Sequence, residues 1–199
     1  MDYKAKDLPF AMKNMGGISE KTLEIHHDKL YVGYVNKKNE IEAKLREVEP
    51  AGNATYSDFR ALKAEQTFAA NGVYLHERYF KCLGGDGVLA DGAFKDALEK
   101  EWGSFDAWKK SFIACGMSAR GWVVLAYDFN DGRLHNYIGD MHNQGGVWGC
   151  MPIFVLDTYE HAYFMDYGSD RAKYIDDFLA NANWKDASEK FDLCMKKTS

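Results

Sequence analysis

The sequence predicts an α+β fold in which an N-terminal antiparallel helical hairpin precedes an α/β lobe with a small three-stranded antiparallel sheet. Two long stretches with helical apolar spacing come first and are joined by a short link, as in a helical hairpin. After a glycine-rich segment the pattern changes to short strand-like runs around an Asn-Asp-Gly turn. The lobes are therefore predicted as residues 1–85 and 86–199.

The N-terminal arm and the first helix are separated by a capping serine. Residues 1–18 are expected to form an irregular arm that contacts the body through Leu8, Phe10 and Met12. Ser19 has the side chain of a good N-cap, and apolar or aromatic residues then recur at helical spacing. The helix is predicted to reach about Glu47, because Pro50 cannot continue it.

Neighbouring histidines in this helix receive different predictions. Side chains four residues apart lie above one another on a helix, so His26, Leu30 and Tyr34 share one inward face. His27 points elsewhere, which predicts a structural or solvent-facing side chain. A lone inward histidine is usually a hydrogen-bonded core residue, so His26 alone does not indicate a site.

A second long helix is predicted at residues 56–83, with His76 on its apolar side. A hairpin of the two helices would bring His26 and His76 together. Gly72 stands one turn before His76 and lowers helix propensity by about 1 kcal/mol relative to alanine. Close packing against another element is the expected reason for a glycine there.

The C-terminal lobe begins after the glycine-rich segment 84–92. Helices are predicted at 93–102, 104–117, 174–183 and 186–196. Strands are predicted at 121–128 and 133–139, joined by Asn130-Asp131-Gly132, and at 153–156, where four apolar residues indicate a buried strand. These three strands form the predicted sheet.

Composition limits the class of protein. The chain has 199 residues, 46% hydrophobic residues and a formal charge of −5, which suits a compact fold and argues against nucleic acid or an anionic membrane as a partner. The start lacks the apolar core of a signal peptide and no run is long enough to span a membrane, so a soluble, cytoplasmic protein is expected. Its four scattered cysteines are expected to be reduced core residues.

The segment from Cys150 to Phe164 carries the clearest chemical signal, because an apolar run ends abruptly in Asp157, Glu160 and His161. A buried charge without a partner is costly. A metal ion that neutralises Asp157 and takes a lone pair of His161 is one explanation. A hydrogen-bonded Asp–His pair that supports the core is the other.

Three imidazoles and one carboxylate make up a candidate metal-ligand set: His26, His76, Asp157 and His161. Mixed nitrogen and oxygen donors suit iron, manganese or zinc better than calcium or magnesium. Only the spacing Asp157-x-x-x-His161 is local, and the assembly of distant ligands does not follow from spacing alone.

Four stretches, taken together and in this order, carry a resemblance to a known family: His26-His27-x-Lys29-x-Tyr31-x-x-Tyr34-Val35-Asn36; Gly72-x-x-x-His76 with Phe80; Arg120-Gly121-Trp122; and Asp157-x-Tyr159-Glu160-His161-Ala162-Tyr163. The chain resembles the iron/manganese superoxide dismutase family over almost its whole length. The resemblance implies a helical hairpin followed by an α/β lobe. It also implies one iron or manganese ion per subunit, with His26, His76, Asp157 and His161 as ligands and solvent at a fifth position. Superoxide, a small anion, is then the substrate, converted to dioxygen and hydrogen peroxide by a metal that alternates between +3 and +2.

The resemblance also implies roles around the metal. Tyr34 matches a tyrosine that relays protons, and Trp122 matches a tryptophan that walls the site. The group that hydrogen-bonds the metal-bound solvent is expected to be His142 or Gln144, with His142 favoured by its distance in sequence from Asp157. The choice between iron and manganese, or use of both, stays open.

A homodimer is implied, with a dimer of dimers as the alternative. Glu160 matches a residue that reaches across the dimer to the partner's ligand histidine. Leu30 and Phe164 replace a histidine and a tyrosine that bond across the family's dimer, so a repacked interface is expected. Tyr159 stands where a tryptophan is usual, and Lys29 and Arg171 are candidates for a positive rim.

Two other functions are compatible with these residues. A zinc hydrolase with Glu160 as general base would use an open metal position and show no redox chemistry. A non-catalytic metal-binding homologue would keep the ligands and lose turnover through the changes at Leu30, Tyr159 and Phe164.

Overall fold

The helical hairpin forms as predicted. The structure, a computed structural model, describes residues 2–12 and 15–198. The first long helix has three contiguous parts, namely α1 (Glu20–Glu24), a π-helical segment (Ile25–Tyr31) and α2 (Val32–Glu47). The hydroxyl of Ser19 caps it by accepting a bond from the N–H of Thr22. Helix α3 (Asp58–Lys81) packs against α2, which completes the hairpin.

The π-helical segment is a feature that the sequence pattern did not predict. In it the N–H of Val32 reaches the carbonyl of His27, five residues back, instead of the usual four. Seven residues adopt this wider coil, and His26 and His27 lie within it. Such segments inside α-helices are frequent at functional sites, because they change the direction of the side chains they carry.

The helices of the second lobe agree with prediction except at some ends. The structure has α4 (Ala93–Trp102), α5 (Phe105–Ser118), a short 3₁₀ turn (Glu160–Ala162), α6 (Phe164–Tyr167), α7 (Arg171–Ala180) and α8 (Trp184–Thr198). The predicted start of α7 at Tyr174 was wrong by three residues. The carboxylate of Asp170 caps the helix by accepting a bond from the N–H of Lys173. Helix α8 likewise begins at Trp184, two residues earlier than predicted.

The described residues contain one three-stranded antiparallel sheet, as predicted. Its strands are β1 (Trp122–Asp128), β2 (Arg133–Gly139) and β3 (Cys150–Asp157), in the order β2-β1-β3. Strand β3 is longer than predicted, because Cys150 and Met151 also pair with β1. The register sets Trp122 of β1 directly opposite Asp157 of β3, so the carboxyl end of β3 meets the start of β1.

Aromatic side chains fill the core between the sheet and the helices of the second lobe. Phe154 of β3 contacts Phe112 of α5, Phe178 of α7 and Trp184 of α8, with ring centroids 4.4–5.5 Å apart. This core fixes β3 from one side, so the carboxyl end of β3 is held rigidly.

The N-terminal arm packs on the body as expected, and a hydrogen bond holds the connection between the lobes. The predicted contacts of Leu8, Phe10 and Met12 with the body are confirmed. The connection after α3 pairs with the segment before α8, since the N–H of Asn183 donates to the carbonyl of Cys82 at 2.8 Å. The boundary at residues 85/86 stays a prediction.

The structure can be compared with the sequence-based expectations about the cysteines and about membrane-spanning segments. All four cysteines lie among the described residues and none is in a disulfide. Cys82 and Cys194 are buried as expected, whereas Cys115 and Cys150 are only half-buried. No helix in the described parts of the chain is both long and apolar enough to cross a bilayer.

Candidate metal centre

Four side chains from four different segments converge at one point. His26 comes from the π-helical segment, His76 from α3, Asp157 from the end of β3 and His161 from the 3₁₀ turn. One potential ligand atom from each lies within 4.8 Å of all the others. The Oδ2 atom of Asp157 is 3.2 Å from Nε2 of His26, 3.1 Å from Nε2 of His161 and 3.6 Å from Nε2 of His76. The hairpin and the second lobe thus each supply two donors.

Backbone hydrogen bonds hold these donors in place. The Nδ1–H of His76 donates to the carbonyl of Gly72 at 2.5 Å, which leaves Nε2 as the lone-pair nitrogen. The N–H of Tyr159 donates to Oδ1 of Asp157 at 2.9 Å and so orients that carboxylate. The hydroxyl of Tyr174 donates to the Asp157 carbonyl at 2.8 Å, which anchors the end of β3.

The protonation states suit a cation. Burial lowers the pKa of His26, and burial with the nearby His26 lowers the pKa of His76 to about 3, so both rings are neutral at neutral pH. Burial would raise the pKa of Asp157, but His161 and His26 outweigh it and keep the carboxylate ionised. Burial also opposes the charge on His161, yet the Asp157 carboxylate prevails and raises the pKa of that ring. A metal bound at this point takes the Nε2 lone pair of His161, so its binding opposes the rise in pKa that Asp157 causes.

A buried nitrogen without a partner favours a metal over a simple Asp–His pair. Nε2 of His76 is fully buried and makes no hydrogen bond, although it faces the Asp157 carboxylate. A pair that only supports the core would need one histidine, whereas three imidazoles crowd one carboxylate oxygen here. Three nitrogens and one oxygen are the donors that a first-row metal ion accepts, so these residues fit iron or manganese.

A second ring of side chains surrounds the four donors. Trp122 donates its indole N–H to Nδ1 of His142 at 2.9 Å and packs edge-on against His76, with centroids 5.1 Å apart. Tyr34 lies between His76 and His142, with centroids 5.3 and 4.6 Å away. His142 is 4% exposed, and burial lowers its pKa to about 4, so this ring is neutral at neutral pH. Because Nδ1 accepts from Trp122, the proton of the neutral ring lies on Nε2.

Comparison with known proteins gives the same assignment. Residues 2–84 match the model of the alpha-hairpin domain of iron/manganese superoxide dismutases, and residues 90–190 match the model of their C-terminal domain. The chain belongs to the iron/manganese superoxide dismutase family.

Relatives in this family are named for either metal. Superoxide dismutase (Fe) of Aquifex pyrophilus is 42% identical over 190 residues, which cover 92% of this chain and 89% of the relative. The protein of the same name from Cupriavidus metallidurans is 39% identical and covers 98% of this chain and 100% of the relative. Superoxide dismutase (Mn) 1 of Halobacterium salinarum is 33% identical, with 98% of each chain covered. Family membership therefore leaves iron and manganese both open.

Gly72 packs closely against another element, as a glycine inside a predicted helix indicated. A Cβ atom built on Gly72 would lie 2.8 Å from Cδ1 and 3.0 Å from Cγ of Tyr34. The glycine thus lets the Tyr34 ring approach α3 and rest against His76. This contact is the physical reason for a poor helix former in the middle of α3.

Tyr159 replaces the family's usual tryptophan and remains part of the wall. Its ring stacks on His161, with centroids 5.3 Å apart and planes 12° apart, and lies 5.2 Å from the ring of His142. Gly121 makes room for it, because a Cβ there would meet the Tyr159 ring at 2.9 Å. The Tyr159 hydroxyl makes no hydrogen bond within the described residues, and burial with the nearby Asp157 raises its pKa to about 12.

The structure separates the two candidates for the solvent-bonding group. His142 is buried among Tyr34, Trp122 and Phe68, whose ring centroid is 4.5 Å from that of His142. Gln144 is exposed on the loop between β2 and β3 and is not brought to the cluster. The burial of His142 supports it over Gln144, and the choice between them stays a prediction.

Residues expected at the periphery have mixed positions. Lys29, Glu160 and Phe164 are exposed, and Leu30 is half-buried. Arg171 is not a free charge at a rim, because it donates to the hydroxyl of Tyr163 and to a backbone carbonyl of the second lobe.

The solvent-facing alternative for His27 was wrong. His27 is 8% exposed, and its Nε2 bonds the carbonyl of Lys6 in the N-terminal arm at 2.8 Å. The arm covers this face of the first long helix, and its contacts with His27 are not visible in the helical spacing.

Two supporting residues were missed as site components. Phe68 was not singled out within the predicted helix 56–83, yet it packs on both Tyr34 and His142. Tyr174 was assigned only to a closing helix, yet its hydroxyl holds the backbone of Asp157. Aromatic residues in an apolar stripe give no sequence signal that distinguishes core packing from a site wall.

A second group of donors, Asp128, Asp131 and His135, lies on the β1–β2 hairpin. Asp128 accepts bonds from Asn130 and Tyr137, and Asp131 bonds His135 at 2.8 Å. These hydrogen bonds belong to the hairpin turn and explain why the three side chains lie close together.

Proposed function

We propose that this protein converts superoxide to dioxygen and hydrogen peroxide with one iron or manganese ion held by His26, His76, Asp157 and His161. The convergence of three imidazole nitrogens on one ionised, buried carboxylate carries the proposal. Relatives that match almost the whole chain and are named superoxide dismutase support it. When bound, the metal supplies the electron chemistry by alternating between +3 and +2.

The protein's main task is then to deliver protons. Forming one hydrogen peroxide from two superoxide anions requires two protons. Burial and the Asp157 charge raise the pKa of the Tyr34 hydroxyl, so this group stays protonated and can donate. The neutral His142 ring carries its proton on Nε2 and packs against Tyr34, which makes it the adjoining member of the proton route.

Trp122 and Tyr159 act as positioning and excluding groups in this proposal. The bond from Trp122 to Nδ1 of His142 fixes the tautomer of the histidine that takes part in proton transfer. Tyr159 stacks on His161 and limits access of water from that side. Its hydroxyl can both donate and accept a hydrogen bond, whereas the indole of the family's usual tryptophan can only donate one.

The proposed homodimer rests on exposed groups next to the metal ligand His161. Glu160 makes no ion pair within the described residues, and Phe164 and Met165 are 55% and 57% exposed. An exposed carboxylate beside two exposed apolar side chains is suited to an interface with a second copy. Analytical ultracentrifugation tests this, and we expect Glu160→Ala to weaken the dimer. A monomeric wild-type protein would refute it. Sedimentation as a tetramer would favour the dimer of dimers.

We also propose a cytoplasmic location, because none of the four described cysteines forms a disulfide and disulfides are rare in reducing compartments. The zinc hydrolase and the non-catalytic homologue gain no support from the relatives, whose names are those of superoxide dismutases.

The decisive experiment follows superoxide and both products in the same reaction. Protein loaded separately with iron and with manganese is mixed with superoxide in a stopped-flow instrument, and dioxygen and hydrogen peroxide are quantified. We expect catalytic decay with one molecule of each product for every two superoxide anions. Decay that yields peroxide without dioxygen would indicate reduction by the sample and refute dismutation.

A further inference from the structure

A cleft lies between helix α3 and the face of the sheet that the aromatic core does not cover. Its volume is about 560 Å³, within the range of small-molecule sites. Trp122, Val124 and Ala126 alternate along β1 and form its floor, because alternate residues of a strand face the same side. The loop between β2 and β3 forms its outer wall. We call this the α3 cleft.

The lining of the α3 cleft is rich in exposed or half-exposed aromatic and aliphatic groups. Trp148 on the outer loop is 92% exposed, Tyr74 of α3 is 48% exposed, and Tyr137 of β2 is half-buried. Leu75 and Val124 are also only partly buried. Tyr74, Tyr137 and Trp122 line the concavity and Trp148 stands exposed at its outer wall, an arrangement that favours a planar apolar ligand.

Positive charge is concentrated at one end of the cleft, in a protein whose net charge is −5. Arg78 has a side chain only 10% exposed and pairs with Asp186, while its Nε is buried without a hydrogen-bond partner. Lys190 of α8 lines the same end and makes no ion pair among the described residues. Burial, together with Arg78 and Lys81, lowers the pKa of Lys190, as a cation beside other cations requires.

The charges at this end define the ligand. Two cations line this end, Arg78 and Lys190, and Asp186 compensates Arg78, so the lining keeps about one positive charge, which matches a monoanion better than a phosphate. The planar guanidinium of Arg78 suits a carboxylate, and the unpaired ammonium of Lys190 supplies the attracting charge.

We propose that the α3 cleft binds a small aromatic carboxylate, with the carboxylate at Lys190 and Arg78 and the ring among the aromatic side chains. This site is distinct from the four metal ligands, and the inference does not depend on the proposed dismutation. Trp122 and His142 are shared, since both line the cleft and both lie beside the metal ligands.

Calorimetric titration of the metal-loaded protein with 2-naphthoate tests the site. The matched ligand is 2-naphthamide, which keeps the ring and removes the charge. The matched variants are Lys190→Gln and Lys196→Gln, which change the same charge on the same helix inside and outside the cleft. We expect naphthoate to bind one-to-one, with the amide or Lys190→Gln weakening binding roughly tenfold and Lys196→Gln leaving it unchanged.

A second variant, Trp148→Ala, tests the site independently of Lys190. Trp148→Ala alters a side chain that is 92% exposed, so it leaves folding intact, and we expect it to weaken naphthoate binding several-fold. Equal affinity for acid and amide would overturn the proposal, as would equal affinity of the two lysine variants or no binding at all. An unchanged affinity of naphthoate for Trp148→Ala would overturn it too.

Discussion

The contact between Gly72 and Tyr34 provides a sharp test of how the hairpin builds the site. In Gly72→Ala the new Cβ would lie 2.8 Å from Cδ1 of Tyr34, a separation that carbon atoms do not tolerate. The ring cannot retreat freely, because it is packed against His142, His76 and Phe68. Substitution therefore displaces Tyr34 or bends α3.

Two opposing contributions set the change in the free energy of unfolding of Gly72→Ala. Alanine in place of glycine stabilises a helix by about 1 kcal/mol. Overpacking of a filled site costs about 1–3 kcal/mol. The free energy of unfolding of Gly72→Ala should therefore fall by about 0–2 kcal/mol instead of rising.

Gly33→Ala is the matched control, since Gly33 lies in α2 beside Tyr34 and a Cβ there has no neighbour within 4 Å. This control should gain the full helix term of about 1 kcal/mol and keep wild-type activity. Urea unfolding and stopped-flow superoxide decay measure both variants. We expect Gly72→Ala to lose activity at unchanged metal content, because the proton donor has moved.

A double-mutant cycle tests whether contact with the Tyr34 ring causes the loss of stability in Gly72→Ala. In a Tyr34→Ala background the same Gly72→Ala change should stabilise the protein as Gly33→Ala does, because the obstructing ring is gone. If Gly72→Ala is as stable and as active as Gly33→Ala in the wild-type background, the packing account of Gly72 is refuted.

Three further predictions concern the ligand, the proton route and a thiol. Asp157→Asn keeps the size of the side chain and removes its charge, so metal affinity should fall by more than about 100-fold, since even supporting partners of metal ligands are worth 10- to 100-fold. His142→Ala should lower the dismutation rate by about 100-fold or more, whereas Gln144→Ala should change it by less than about twofold, because only His142 is buried at the centre. Burial and Asp128 raise the pKa of Cys150 to about 11, so its alkylation by iodoacetamide should accelerate about tenfold per pH unit from pH 7 to 10.

Each of these has a contradicting result. Metal analysis that finds Asp157→Asn fully loaded would remove Asp157 from the ligand set. Equal rates for the His142 and Gln144 variants would remove His142 from the proton route. For the thiol, a raised pKa means a protonated group at neutral pH, so Asp128→Asn should lower the pKa and speed alkylation at pH 8. Mass spectrometry of Cys150 that shows no such change would exclude Asp128 as a cause.

Local signals predicted much of the fold. Asn130-Asp131-Gly132 predicted the β1–β2 turn, where Gly132 has the positive φ of +71° that glycine adopts readily. Ser19 and Ser104 predicted two helix starts, because a side-chain oxygen that caps a helix acts within three residues. Where the cap was not recognised, as at Asp170, the predicted start of α7 was wrong.

Features that depend on contacts between residues distant in sequence were harder to predict. The spacing Asp157-x-x-x-His161 indicated a site, but the approach of His26 and His76 depends on hairpin packing that no local pattern encodes. The π-helical segment carrying His26 has the same apolar spacing as an ordinary helix over its few residues, so it was not foreseen. His142 and Gln144 are two residues apart on a loop, and only the indole of Trp122 shows which one faces inward.

The four side chains His26, His76, Asp157 and His161 are proposed to hold a redox metal that converts superoxide. The test measures metal content and superoxide decay on one set of samples, which are loaded to graded extents with iron, manganese or zinc. We predict that the rate rises in proportion to bound iron or manganese, up to one ion per chain, and is absent with zinc. Full occupancy by iron and by manganese without superoxide decay in either form would contradict the claim, and selective retention of zinc would point instead to hydrolysis.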